Sequence, residues 1–234
     1  MTMRVLVEKD PSALAQRAAA WIAEAIGAAV AERGTCSVAL AGGSTPRATF
    51  DVLGGPAFAT VVPWGQVVWF FGDERAVPPN HPESNYRMVA ETLFASRRGV
   101  RHQVFRMPAE AADAELAARE YGRLLPDPLD VLILGMGEDG HTASLFPESP
   151  ALDEREARVV VVNGPKPPFR RMTITPPVIA SALEVVVLVG GEAKAPMVAQ
   201  ALEGALDTRS VPAQLARRGT WILDRAAARD LREP

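Results

Sequence analysis

The residues best suited to chemistry are Asp139 and His141, in the stretch 135–142 that reads Gly-Met-Gly-Glu-Asp-Gly-His-Thr. A histidine near a carboxylate on a Gly-rich loop is a candidate general acid or base, because imidazole changes its charge near neutral pH. The stretch follows the apolar run 131–134, which predicts a strand, and ligands of open α/β sheets bind beyond the carboxyl ends of strands. These features predict acid–base catalysis by His141 at a strand end.

The same stretch contains the pattern G-x-G-x-x-G, which also occurs in dinucleotide-binding loops. That function requires a long helix that opens at the loop and directs its free N–H groups at a pyrophosphate. Glu138 and Asp139 would place carboxylates beside those phosphates, and Pro147 would interrupt the helix after about two turns. We therefore predict that the glycines form a tight turn and that neither a nicotinamide nor a flavin cofactor binds here.

A second loop at a strand end, 42–47, reads Gly-Gly-Ser-Thr-Pro-Arg and follows the apolar run 37–41. Thr45 is suited to cap a helix whose first position is Pro46, and the free N–H groups at that helix start would attract an anion. The loop lacks the Gly-Lys-Ser/Thr of a P-loop. Taken alone, it fits an ordinary capped helix equally well.

Two further strand ends carry charged residues. The run 67–71 is followed by Gly-Asp-Glu-Arg at 72–75, and the run 184–189 by Gly-Gly-Glu-Ala-Lys at 190–194. The first segment would also fit a solvated turn, whereas Lys194 is unusual because the chain has three lysines among its 25 basic residues. One shared pocket would account for all four loops together.

Short apolar runs alternate with Ala-rich segments of helical period, which predicts βαβ units. We expect strands at 4–7, 37–41, 67–71, 130–134, 159–162, 172–175, 184–189 and 220–223. We expect helices near 11–32, 46–53, 84–95, 110–124, 177–182, 192–203 and 211–216. The predicted fold class is α/β, with a Rossmann-like, mostly parallel central sheet covered by helices on both faces. Residues 1–234 would form a single domain, with a small α/β subdomain as an optional addition.

Composition excludes several classes of function. A net charge of −3 and a pI near 5.7 provide no basic surface for nucleic acid. The charged N-terminus and the lack of an 18-residue apolar run predict a cytoplasmic protein with no membrane partner. Cys36 is the only cysteine and is expected to be a buried strand residue, so no internal disulfide forms. No His-x-x-x-His pair or acid–histidine cluster suggests a metal.

As a set and in this order, these motifs resemble the glucosamine-6-phosphate isomerase/6-phosphogluconolactonase family. The matching segments are 42–46, 72–78, 84–86, 135–147, 165–168, 171–175 and 191–194. The likeness to the lactonases of the family implies hydrolysis of 6-phospho-D-glucono-1,5-lactone to 6-phosphogluconate, in the oxidative pentose phosphate pathway. It also implies that no metal and no organic cofactor is needed, and that the partner is a small sugar-phosphate lactone. We expect a monomer or a weak homodimer.

Roles follow from the resemblance at the matching positions. His141 corresponds to the general base that activates water, and Asp139 either orients the imidazole or holds a sugar hydroxyl. Arg75 is the first candidate to stabilise the negative charge on the carbonyl oxygen, with phosphate anchoring as its alternative role. The resemblance assigns substrate and phosphate binding to a larger group, namely Gly43, Ser44, Thr45, Asp73, Arg171 and Lys194.

The same motifs are compatible with two other functions, a sugar-phosphate deaminase and a non-catalytic sensing domain. Deaminases of the superfamily carry an acid five positions after the histidine, where this chain has Phe146, and usually an aromatic residue where it has Arg75. Both departures favour the lactonase. A non-catalytic sugar-phosphate sensing domain would need a DNA-binding segment, whereas residues 1–35 predict one strand and one amphipathic helix.

Overall fold

The computed structural model describes residues 3–96 and 103–232, and within them the strands form two sheets. The larger sheet has seven parallel strands in the order β1-β10-β9-β6-β2-β3-β5. The smaller sheet has three antiparallel strands in the order β4-β8-β7. The strands are β1 (Arg4–Glu8), β2 (Cys36–Leu40), β3 (Val67–Phe71), β4 (Asp73–Arg75), β5 (Gln103–Val104), β6 (Val131–Gly135), β7 (Val159–Asn163), β8 (Arg170–Ile174), β9 (Glu184–Val189) and β10 (Thr220–Asp224).

The helices follow the predicted Ala-rich segments, and the first is the longest. It begins after Asp10, whose carboxylate accepts the N–H of Ala13 at 2.8 Å, and ends at Gly34, which has a φ of +79°. The α-helices are α1 (Pro11–Arg33), α2 (Ser44–Leu53), α3 (Asn85–Glu91), α4 (Ala114–Leu124), α5 (Pro176–Ser181), α6 (Ala195–Glu203) and α7 (Arg225–Ala228). The predicted α/β architecture is confirmed.

The middle of the large sheet is covered on both faces. Every residue of β2 is buried, and so are the first four residues of β6. In a strand, successive side chains point to opposite faces, so uninterrupted burial requires packing on both sides. This explains the continuous apolar runs. Cys36 is fully buried at the start of β2, as expected, and burial raises the pKa of its thiol to about 12.

The strand order reverses at β2. The chain proceeds from β2 to β3 on one side, and later places β6 and β9 on the other. Such a reversal is called a topological switch point. The loops after the two strands beside it run in opposite directions, which leaves a crevice at the carboxyl edge of the sheet. The four loops with candidate chemistry leave β2, β3, β6 and β9, which are adjacent strands.

The small sheet corrects part of the prediction. The expected strands at 159–162 and 172–175 exist but lie outside the central sheet, paired antiparallel to each other and to β4. Strand β4 was not predicted, because its three residues are all charged and show no alternation of apolar and polar side chains. The segment is not a solvated turn, because Glu74 is 3% exposed and accepts the N–H groups of Asn85 and Tyr86.

Several element boundaries also differ from the predicted ones. Helix α2 starts at Ser44, with Gly43 as its N-cap and no side-chain capping bond, so Thr45 is not the cap and Pro46 is not the first position. Proline is tolerated anywhere in the first turn because its missing N–H would lack a partner there. Residues 212–216 form a 3-10 turn instead of an α-helix. The short elements β5 and α7 were not predicted.

The described residues contain neither a membrane-spanning helix nor a cluster of metal ligands. Across residues 3–96 and 103–232, no helix has the length and apolarity needed to cross a membrane. In the same residues no three His, Cys, Asp or Glu side chains lie close enough to hold a metal ion.

Candidate active site

The four loops line a common cleft of about 210 Å³ at the carboxyl edge of the large sheet. Every residue proposed from the sequence lines this cleft except Asp139, which contacts His141 beside it. The other lining residues come from the same loops and the adjoining strand ends. The lining consists of Ala41, Gly42, Gly43, Ser44, Thr45, Pro46, Asp73, Arg75, Gly135, Met136, Gly137, His141, Ala143, Arg171, Leu188 and Lys194.

His141 and Asp139 form a pair on the loop that follows β6. The Nδ1 atom of His141 lies 2.5 Å from Oδ1 of Asp139, and the same oxygen accepts the backbone N–H of His141 at 3.2 Å. A carboxylate only accepts hydrogen bonds, so Nδ1 carries the proton in this contact. The other ring nitrogen, Nε2, is then left without a proton in the neutral imidazole and is able to take one.

The electrostatics of Asp139 suit this contact. Partial burial opposes ionisation of its carboxyl group, but hydrogen bonds from His141 and the charge of that imidazole outweigh burial and lower the pKa of Asp139. The carboxylate therefore stays ionised at neutral pH. An ionised partner stabilises the imidazolium that forms when His141 accepts a proton.

Two glycines of this loop support the His–Asp pair and a tight turn. A Cβ atom on Gly137 would lie 2.1 Å from Nδ1 of His141 and 2.6 Å from Oδ1 of Asp139, so the pair packs directly on the backbone there. Gly140 has a φ of +82°, which favours glycine. No α-helix opens at the loop among the described residues between β6 and β7. The required helix of the dinucleotide fingerprint is therefore missing.

The start of α2 forms another wall of the cleft. Gly43 has a φ of +100°, a backbone conformation that favours glycine, and lets the chain turn sharply from β2 into the helix. The N-cap residue Gly43 has no side chain to cap the helix, and Ser44 and Thr45 in the first turn line the cleft. Free N–H groups and the positive end of the helix dipole make this wall attractive to an anion.

Arg75 and Arg171 form a further wall of the cleft. They are directly opposed residues of the antiparallel strands β4 and β8, so their side chains leave the same face of the small sheet. Burial, and then repulsion from Arg75, lower the pKa of the Arg171 guanidinium. Two neighbouring guanidinium groups are disfavoured without an anion between them or beside them.

All three cations of the cleft are held by carbonyl oxygens. Arg75 Nη1 donates to the carbonyl of Glu83 at 2.7 Å, and Arg171 Nε donates to that of Pro168 at 3.2 Å. Lys194 Nζ donates to the carbonyl of Met136 at 2.6 Å. A carbonyl dipole orients a cation without cancelling its charge. The cleft therefore keeps a positive charge that a bound anion would neutralise.

Lys194 is also partly desolvated. Burial lowers the pKa of its ammonium group, and the nearby carboxylates Glu138, Asp139 and Asp224 offset only part of that effect. The side chain lies on the 3-10 turn Glu192–Lys194 that follows Gly191 after β9. A desolvated ammonium interacts more strongly with a bound anion than an exposed one does, because water screens the interaction less.

Asp73 has a more structural position than the sequence suggested. Its carboxylate accepts Ser144 Oγ at 2.6 Å and Asn85 Nδ2 at 3.0 Å, and it is 6% exposed. Asn85 in turn packs on Gly42, where a Cβ would lie 2.0 Å from its Oδ1. Asp73 therefore ties together the loops after β2, β3 and β6. The matching segments already contained Asn85 and Ser144, but only their distance from Asp73 reveals this role.

The sheet order defines an α/β protein, and the crevice at its carboxyl edge is lined by cations that would suit a small anionic ligand. The sequence model described as glucosamine-6-phosphate isomerases/6-phosphogluconolactonase matches residues 9–223. The 6-phosphogluconolactonase of Mycobacterium tuberculosis is 40% identical to this chain, and the alignment covers 99% of each. That of Streptomyces coelicolor is 37% identical, with 98% of this chain and 95% of the relative covered.

A solved structure agrees with the sequence comparisons. The 6-phosphogluconolactonase of Trypanosoma brucei superposes with a TM-score of 0.84 and 30% sequence identity, over 98% of this chain and 99% of that one. The chain belongs to the glucosamine-6-phosphate isomerase/6-phosphogluconolactonase family. The resemblance found in the motifs is thereby confirmed.

Proposed function

We propose that the protein hydrolyses 6-phospho-D-glucono-1,5-lactone to 6-phosphogluconate, as a step of the oxidative pentose phosphate pathway. The observation that carries the proposal is the combination, around one cleft, of a His–Asp pair and three cations that each donate a hydrogen bond to a carbonyl oxygen. The pair suits ester hydrolysis, and the cations suit the phosphate of the substrate. The relatives named 6-phosphogluconolactonase over nearly the full chain support the same reaction.

The base in this mechanism is Nε2 of His141. As water attacks the lactone carbonyl carbon, one of its protons passes to Nε2, and the carbonyl oxygen becomes an oxyanion. The bond between that carbon and the ring oxygen then breaks, and the imidazolium returns the proton to the leaving oxygen. Asp139 keeps Nδ1 protonated and stabilises the imidazolium between these steps.

The phosphate would bind between the start of α2 and the cations. Ser44 and Thr45 offer N–H and hydroxyl donors, while Lys194 and Arg171 supply charge. Charge-assisted hydrogen bonds are shorter and stronger than neutral ones, so these contacts would contribute most of the affinity. Binding energy from the phosphate also serves to orient the distant lactone toward His141.

Arg75 is assigned to the oxyanion. Its guanidinium is held by the carbonyl of Glu83 on the wall shared with Arg171, and a fixed donor of this kind is worth about 3 kcal/mol in the transition state. The two arginines lie on the same face of the small sheet, so their roles in charge stabilisation and in phosphate binding must be distinguished by experiment. Two single variants do so. Arg75→Ala should lower kcat more than product affinity, and Arg171→Ala should do the reverse.

The reaction is tested with freshly prepared lactone. Acid release is followed with a pH indicator in weak buffer, and spontaneous opening of the lactone is subtracted. We expect rapid release with the wild type and a rate close to the background with His141→Ala. Ammonia release from glucosamine 6-phosphate without lactone hydrolysis would assign the protein to the deaminases instead. Binding of 6-phosphogluconate without any turnover would identify a sensing domain.

A further inference from the structure

Phe146 lies behind the cleft and contacts two of its functional side chains. Its ring centroid is 4.8 Å from that of His141, with an angle of 45° between the planes. The second contact is with Arg171, whose Cζ atom lies over the face of the Phe146 ring, 5.3 Å from the ring centroid. Phe146 is 7% exposed and does not line the cleft. Its ring contacts with the substrate site are therefore those with His141 and Arg171.

The turn between β7 and β8 holds the ring from a third side. A Cβ on Gly164 would lie 3.2 Å from Cε2 and Cζ of Phe146 and 2.9 Å from Nε of Arg171. The N–H of Gly164 donates to the carbonyl of Phe169 at 2.6 Å, which closes the turn. The backbone at Gly164 therefore lies close to the ring edge, where there is no room for a side chain, and this limits the space in which the ring can move.

An aromatic ring is also suited chemically to the contact with Arg171. The negative face of the ring attracts a guanidinium but carries no net charge. A carboxylate at position 146 would hold Arg171 more strongly, but would cancel the charge that the cleft needs for an anion. The ring therefore acts as the carbonyl oxygens do at Arg75 and Lys194, because it fixes a cation and leaves the positive charge available.

We propose that Phe146 is a positioning residue that fixes the imidazole of His141 and the guanidinium of Arg171 relative to each other, an inference that rests on the proposed lactonase reaction. The two groups act at different stages, since Arg171 binds the phosphate and His141 activates water. Loss of the ring therefore affects both substrate affinity and turnover. A residue with a purely structural role would lower stability and leave both unchanged.

The test compares Phe146→Leu with Phe70→Leu. Phe70 is 2% exposed in a separate aromatic cluster, stacked on Phe105 with 5.3 Å between ring centroids, and it does not line the cleft. Both variants lose a buried ring, so both should unfold at a lower temperature than the wild type. Kinetics are measured well below both unfolding temperatures, with KM and kcat determined separately and 6-phosphogluconate affinity measured by calorimetry.

For Phe146→Leu we expect kcat to fall about tenfold, because small displacements of a catalytic group have large effects on rate. We also expect KM and the dissociation constant of 6-phosphogluconate to rise about threefold or more, because Arg171 loses its support. Phe70→Leu should keep kcat and KM within about twofold of the wild type. The proposal is overturned if either kcat or KM of Phe146→Leu also stays within that margin.

Phe146→Met provides a second variant if the leucine variant does not fold, since methionine fills a core gap with a flexible apolar chain and no ring. The same loss in kcat and rise in KM are expected, and the same result would overturn the proposal. Failure of the proposed function is distinguishable, because it appears as an inactive wild type. Failure of the positioning role appears as an active wild type whose Phe146 variants behave like Phe70→Leu.

Discussion

The amino and carboxyl ends of the central strands form two edges of the large sheet, and both edges carry cations. The two edges differ in the groups that these cations contact. At the amino edge, Arg33 lies 2.8 Å from Asp130, whose other oxygen accepts the N–H and the hydroxyl of Ser37, each at 2.7 Å. At the carboxyl edge, Arg171 and Lys194 are bound to carbonyl oxygens. The cation at the first edge is paired directly with a carboxylate, whereas the cations at the second donate their hydrogen bonds to carbonyl oxygens and lie farther from the nearest carboxylates.

This difference distinguishes a polar cluster that joins structural elements from one that is suited to bind an anion. The Asp130 cluster ties the end of α1 to the starts of β2 and β6, and its hydrogen bonds are satisfied. The cleft cations are oriented but keep their charge, and they surround a cavity with a His–Asp pair. We infer that partner type, carboxylate or carbonyl, is more informative here than the number of charged residues.

The largest expected effect comes from His141→Ala. Removal of the general base should lower kcat by about 100-fold or more, because proton transfer by a positioned base contributes factors of this size. The affinity for 6-phosphogluconate, measured by calorimetry, should stay close to that of the wild type. Substantial residual activity would mean that another base or direct solvent attack operates. The carboxyl edge would then differ from the amino edge in its charges but not through catalysis by His141.

Lys194→Ala should mainly weaken binding. A charge-assisted hydrogen bond contributes roughly 1.5–3 kcal/mol, so the dissociation constant of 6-phosphogluconate should rise roughly 10- to 150-fold. Arg218→Ala is the matched control, because Arg218 is an exposed cation two residues before Thr220, where β10 begins at the amino edge. An equal loss in both variants would attribute the affinity to overall charge instead of the cleft.

Gly137→Ala tests the support of the His–Asp pair. The added methyl group would overlap Nδ1 of His141 and Oδ1 of Asp139, so the pair must separate and kcat should fall about tenfold. Gly27→Ala in α1 is the control, since nothing lies within 4 Å of its added Cβ. That change should raise the free energy of unfolding by roughly 0.5–1 kcal/mol and leave kcat unchanged. Normal turnover of Gly137→Ala would contradict the packing at this site.

The affinity for 6-phosphogluconate should fall at alkaline pH. Burial lowers the pKa of Lys194, so its ammonium loses a proton at a lower pH than an exposed lysine does, and the contact with phosphate weakens as pH rises through that value. The change should be a few-fold. Lys194→Arg should remove it, because a guanidinium stays charged throughout this range. A fall of equal size in the arginine variant would assign the titration to another group.

Asp130→Ala should have the smallest effect on the reaction. The free energy of unfolding should fall by roughly 1–3 kcal/mol, because the N–H of Ser37 loses its acceptor. Values of kcat and KM should match the wild type at temperatures where both are folded. A specific loss of turnover would show that the amino edge influences the cleft and is not purely structural.

The central elements were predictable because their signals are local. The continuous run 184–189 and the Ala-rich segment 11–32 predicted β9 and α1 closely, since burial on both faces and helical period are written directly into such segments. Strand β4 was not predictable in this way. Its residues are charged, and it is a strand only because β8, about a hundred residues later, supplies its hydrogen-bond partners.

The candidate site likewise has features that local sequence predicts and features that it does not. The loops that follow β2, β3, β6 and β9 were identified from the sequence, because glycine turns and charged residues after apolar runs mark strand ends. The helix cap was misplaced from Gly43 to Thr45, since a proline is tolerated at more than one position of a first turn. The sequence marked Phe146 only as a departure from the deaminases, and its contacts with His141 and Arg171 were not predictable, because Arg171 comes from a strand far along the chain.

The amino-acid sequence by itself determined the fold class, the loops that carry chemistry and the family likeness, because each depends on residue types within a short segment. Only the tertiary structure decided which cation faces which partner, that Asp73 joins three loops, and that Arg75 lies opposite Arg171. These facts depend on distances between segments far apart in the chain. Such distances are fixed by packing and strand pairing over the whole molecule, and no local pattern encodes them.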